Sequence, residues 1–104
     1  MSSIHLIKKN DPNLPKILPA KDMGEDVLFS GDWLISKERA MSLIGGEIYF
    51  HRKKTAPAFL GGIIVKVGKS AEPGRFVFFF RPDPALREKM TPNEGWAMTM
   101  KYIV

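Results

Sequence analysis

GGEIYFHRKKTAPAFLGGIIVKV, residues 45–67, reads as two strands joined by a basic loop. From Glu47 the side chains alternate, which sends Ile48 and Phe50 to one side of a sheet and Tyr49 and His51 to the other. The run Gly62–Val67 is rich in β-branched residues, which suit a pleated, covered surface. Between the strands stand Arg52, Lys53 and Lys54, then Thr55-Ala56-Pro57, where a proline without an amide proton favours a loop over continued pairing. The pair Gly61-Gly62, following Phe59 and Leu60, marks a bulge, a sharp bend or close approach by another backbone or a ligand.

Working outward, Trp33-Leu34-Ile35 forms a strand that runs into a helix, with Ser36 as its N-cap and Glu38 facing the positive helix end. Ala40, Met41, Leu43 and Ile44 give the helix Lys37–Ile44 an apolar face, and Gly45 ends it in the left-handed conformation. Ahead of it, Val27–Phe29 is a short apolar strand and Ser30-Gly31-Asp32 a turn. Beyond Val67, the segment 68–74 has turn chemistry, and RFVFFFR, residues 75–81, is a strand with Phe76, Phe78 and Phe80 on one face and Val77 and Phe79 on the other. Asp83 and Pro84 open a second short helix carrying Leu86 and Met90, and WAMTMKYIV, residues 96–104, closes the chain as a strand. At the other end, Ile4–Ile7 adds at most one short strand, after which Pro12, Pro15 and Pro19 fragment the chain. Residues 1–26 therefore read as an arm outside a domain spanning 27–104.

A chain of 104 residues fits one domain, and 44% hydrophobic with 26% charged residues is the balance of a soluble globular protein. Its formal charge of +5 points to anionic partners, and because residues 1–26 hold four lysines against four acidic groups, the excess belongs to the domain. With no cysteine there is no disulfide, thiolate metal site or cysteine nucleophile, which fits a cytoplasmic protein. No apolar run reaches membrane-spanning length, and the start lacks the pattern of a signal peptide. His5 and His51 are the only histidines and have no ligand cluster beside them in sequence, so neither a metal nor a cofactor is expected. Five or six short strands with two small helices make this α+β, mainly β, and a small barrel would hide the edges of such apolar strands.

In element order the chain resembles the PUA-like superfamily, in particular its EVE and ASCH branches. The likeness lies in a Trp-bearing strand, WLIS at 33–36, followed by KERAMSLI, GGEIYFH, FLGGIIVKV and RFVFFF, and it covers Val27–Val104. It implies a single pseudobarrel that recognises RNA, or a modified base in RNA or DNA, and a binding module is the leading expectation over an enzyme. Position by position, it implies contacts from Trp33, Ser36 and Lys37 at the strand–helix junction, from Phe50 and His51, and from Phe59 and Gly61.

Read from the residues alone, these positions keep two meanings. The loop His51-Arg52-Lys53-Lys54 either neutralises phosphates or is a solvated hairpin tip. Trp33 and Phe59 either offer faces on which a base stacks or belong to the core. A second reading is an interaction or structural barrel whose arm, residues 1–26, docks on a protein partner. A third, from the ASCH likeness, is a small nucleoside hydrolase using Lys37, Glu38 and Glu47, although no spacing in the chain marks a nucleophile with its base.

Overall fold

A computed structural model of the chain describes residues 2–7, 17–19, 27–53, 55–86 and 100–103. The expected hairpin forms its middle: β4 (Glu47–His51) pairs antiparallel with β5 (Ala58–Lys69), Glu47 opposite Ile63 and His51 opposite Ala58. Around it lie β1 (Ser3–Ile7), β2 (Ile17–Pro19), β3 (Leu28–Leu34), β6 (Arg75–Pro82) and β7 (Met100–Ile103). All seven belong to one mixed sheet in the order β2-β3-β6-β5-β4-β1-β7. Among the described residues, only β1 and β4 run parallel. The molecule is mainly β, as expected, and it has more strands than expected because the segment read as an arm contributes two.

β1 is the main correction. It is an interior strand between β4 and β7, and its Ile4 and Leu6 are wholly buried in the core. The apolar alternation of SIHLI is that of a covered strand, and the prolines that follow do not keep it out of the sheet. β2 lies at the other end of the sheet, where Pro19, which has no amide proton, suits an edge strand. A second correction concerns Ser30-Gly31-Asp32, which does not turn the chain. β3 continues through it with a register shift against β6 between Ser30 and Trp33, a bulge made possible by Gly31, where a Cβ would lie 2.6 Å from Val77 Cγ2.

The α-helix, α1 (Lys37–Ser42), begins where expected: the Ser36 hydroxyl accepts from the Arg39 amide at 3.3 Å. Gly45, at φ 84°, reverses the chain, and its amide donates to the Ile64 carbonyl at 2.8 Å, so the helix is followed directly by β4. Ala40 and Leu43 turn inward, and Met41 and Ile44 remain exposed. The second expected helix is a 3-10 turn, Pro84–Leu86, among the described residues, with Asp83 Oδ1 accepting from the Ala85 amide at 3.0 Å; Met90 lies outside the described residues, as do positions 96–99 of the closing strand.

The core fills the inner face of the sheet and is dominated by Phe50, Phe76, Phe78, Phe80, Ile4, Leu6 and Ile48, with Trp33 and α1 packed at one side. β5 pairs with β4 along its first half and with β6 along its second, and the register shifts between Ile64 and Lys66. This curvature brings Phe50 and Phe80, on strands that are not neighbours, to a ring separation of 5.3 Å. Gly62 makes room: a Cβ there would lie 2.8 Å from Phe80 Cδ2 and would collide with the Arg81 carbonyl oxygen.

Candidate nucleic-acid interface

The β4–β5 tip is held by its own short-range bonds. His51 Nδ1 lies 2.9 Å from the Ala56 carbonyl oxygen, and the Ala56 amide donates to the Lys53 carbonyl at 3.1 Å. Arg52 and Lys53 are exposed at this tip, and the Arg52 guanidinium sits 4.9 Å from the centre of the half-buried Phe59 ring. Lys54 lies outside the described residues. The tip therefore offers cationic groups and an aromatic ring side by side, on a turn anchored from below.

The anchor is a polar cluster on the sheet face opposite the apolar core. His5, Tyr49, His51 and Lys101 are all buried there, and His5 stands across from Tyr49 on β4 and from Lys101 on β7. The His5 and Tyr49 rings stack at 4.6 Å and 12°. His5 Nδ1 lies 2.8 Å from His51 Nε2. A carbonyl only accepts, so His51 carries its proton on Nδ1 toward Ala56, and its Nε2 accepts from His5 Nδ1–H. Burial lowers the His51 pKa, only partly countered by the Ala56 carbonyl. Burial pushes Tyr49 up to about 12, helped by its hydrogen bond to the Glu47 carboxylate and by the charges of Glu47 and Asp83.

The other sequence-derived residues fall in different surroundings. Trp33 is buried, with Nε1 donating to Ser30 Oγ at 3.1 Å, and Phe50 is wholly enclosed in the core. His51, also wholly enclosed, supports the tip from within and does not join its charged surface. Ser36 is occupied as the helix cap, while Lys37 and Glu38 are exposed on the first turn of α1. Gly61 is buried under the 3-10 turn, where a Cβ would lie 2.7 Å from Leu86 Cβ. Trp33 pairs with Phe76, which is level with Lys69 on β5, whereas the tip begins at Ala58. The junction around Trp33 and the tip around Phe59 thus lie level with opposite ends of β5, and pairing does not assemble them into one pocket.

Sequence reasoning missed His5, Tyr49 and Lys101 as a group. The available signal was a histidine alternating with apolar residues in SIHLI, but its partners come from strands far away in the chain. Among the described residues, no group of three or more His, Cys, Asp or Glu could hold a metal ion, and no helix is long and apolar enough to cross a membrane. Comparison with protein-family models, with curated proteins and with solved structures finds no match.

Proposed function

We propose that this chain is a non-enzymatic nucleic-acid-binding module of PUA-like pseudobarrel type, cytoplasmic, which engages RNA, or a modified base in RNA or DNA, through the β4–β5 tip. One observation carries the reading: the Arg52 guanidinium lies over Phe59 beside the exposed Lys53, on a turn held in place by His51. Cations at such a tip neutralise phosphates, and an aromatic ring at their base gives an unpaired base a surface to stack on. The formal charge of +5 favours the encounter with a polyanion. In this reading the curved sheet is the pseudobarrel and Pro84–Leu86 begins its second short helix.

The test is a titration of labelled single-stranded RNA, double-stranded RNA and DNA at several salt concentrations, followed by anisotropy. Replacing Arg52 and Lys53 together by alanine removes two phosphate contacts and makes the salt slope shallower by about 1.4 for a single strand. Phe59→Leu changes preference among bases more than it changes that slope. An unchanged slope in the double variant rejects the tip as the phosphate contact.

A further inference from the structure

We infer that the outer face of β3, β6 and β5 carries a second contact for the same ligand, a shallow trough that takes an unpaired base of a single strand. This rests on the nucleic-acid reading above and extends it to a part of the sheet that the tip does not include.

The trough follows from the register. Phe29, Phe79 and Lys66 stand side by side across the three strands and form a ridge. The Phe29 and Phe79 rings are 5.8 Å apart, and the Lys66 ammonium lies 5.7 Å from the centre of the Phe79 ring. In the next row on the same face, Val77 is opposite Gly68 on one side and the bulge residues Gly31 and Asp32 on the other, and the two glycines bear no side chain. Beyond it, Leu34 pairs with Arg75 and stands 66% exposed, a second wall. The α-carbons of Phe79 and Arg75 are about 13 Å apart along β6 at ordinary strand rise. A flat base lying over Val77 meets the Phe79 ring on one side and Leu34 on the other.

Charge selects the occupant. By register Lys66, Arg75 and Arg81 belong to this face, and the acidic residue of the three strands is Asp32, in the β3 bulge, so cations outnumber it. Glu72, in the turn between β5 and β6, is held by Arg75 at 3.1 Å. Aromatic rings on an open sheet face flanked by cations suit the combination of base stacking and phosphate attraction by which single strands are bound without strict sequence readout. Phe79 and Val77 are only half-buried and Lys66 and Arg81 are exposed, so the face is reachable.

The experiment is photocrosslinking of a short photoreactive oligouridylate to the full chain, followed by tryptic mapping, together with anisotropy titrations of Phe79→Leu and Lys66→Ala. The peptide beginning at Phe76 carries Phe79, and the peptide Thr55–Lys66 carries Phe59. The expected result is crosslinks on the peptide beginning at Phe76 and binding weakened roughly tenfold by Phe79→Leu, with a smaller loss for Lys66→Ala. Crosslinks confined to Thr55–Lys66, with both variants binding as the parent does, overturn the trough and leave the tip standing. Failure of the parent chain to bind any oligonucleotide overturns both. Should Phe79→Leu not fold, as judged by circular dichroism, the crosslink map of the parent decides.

Discussion

His5 and His51, 46 positions apart in the chain, meet through a 2.8 Å hydrogen bond inside the protein, and His51 passes the connection on to the Ala56 carbonyl of the basic tip. β1 is thereby tied to a turn with which it shares no backbone pairing. The bond needs one nitrogen with a proton facing one without, so the pair cannot carry a full complement of protons in this geometry. Burial adds to the cost of a positive charge on His51, and the Ala56 carbonyl offsets it only in part.

Acid should therefore loosen the fold before the carboxylates titrate. The His51 pKa is lowered in the folded state, so below its ordinary value of about 6.5 the unfolded chain takes up a proton that the folded chain refuses. Stability contributed by neutral His51 is complete above that value and falls as the pH drops toward the folded pKa, by up to about 1.4 kcal/mol per pH unit. Urea midpoints from about pH 7.5 to 5.5 measure it. The variant His51→Gln should show a flatter profile over the same range, and an equally steep one would contradict the assignment.

The two tyrosines should titrate far apart. Tyr102 has its pKa lowered by its hydrogen bonds to Ser2 and Ser42, with Arg39 adding to the effect, whereas Tyr49 is pushed up to about 12. Absorbance of the phenolate on raising the pH should show two steps, the first removed by Tyr102→Phe. Because folded Tyr49 resists ionisation, its contribution to stability is lost between the ordinary tyrosine value of about 10 and the folded value. A single step for both residues would mean that Tyr49 is open to solvent.

Gly62 and Gly45 should respond differently to alanine. At Gly45 the φ of 84° is unfavourable for alanine but no atom stands within 4 Å of a Cβ, so the expected loss is about 1–2 kcal/mol. At Gly62 a Cβ collides with the Arg81 carbonyl of the paired strand and crowds Phe80, which must push β5 from β6 and costs about 1–3 kcal/mol or more. Thermal and urea denaturation of the two variants give the comparison, with Gly62→Ala expected to lose more. The opposite order would show that the sheet yields easily where Gly62 faces Arg81 and Phe80.

Trp33 and Ser30 form a hydrogen bond across the β3 bulge, both side chains being buried. Trp33→Phe leaves the Ser30 hydroxyl without this donor and should cost roughly 1–3 kcal/mol. Adding Ser30→Ala should cost less in the Trp33→Phe background than in the parent chain, a coupling that a double-mutant cycle reads. Additive losses would indicate that the indole acts by volume alone.

The local features of the fold were legible. Ser36 and Gly45 bracket the helix because capping and a positive φ are properties of single residues. Alternation in EIYFH and RFVFFFR identified the faces of β4 and β6. The long-range pairings were not legible, because periodicity says which face a residue takes but not which strand lies beside it. Thus from sequence alone SIHLI reads as part of an arm, the β3 bulge reads as a turn, and Trp33 reads together with Phe59 although the two lie level with opposite ends of β5. At the site, the basic tip could be read from composition, while the role of His51 could not, since its partner His5 arrives only through parallel pairing.

The seat of β1 between β4 and β7 sets the order in which the protein can be built. Ser2 and Tyr102, which approach each other at 3.5 Å, are separated by 100 positions, so closing β7 onto β1 ends a very long loop. The β4–β5 and β5–β6 hairpins close over short turns and are favoured to form early, whereas pairings of large sequence separation come late and slow folding. During synthesis β1 leaves the ribosome before either neighbour exists, with Ile4 and Leu6 uncovered until β4 arrives. β1, which precedes both of its partners in the chain, is among the last strands to be locked in, and the interval before that step is when it most needs protection from aggregation.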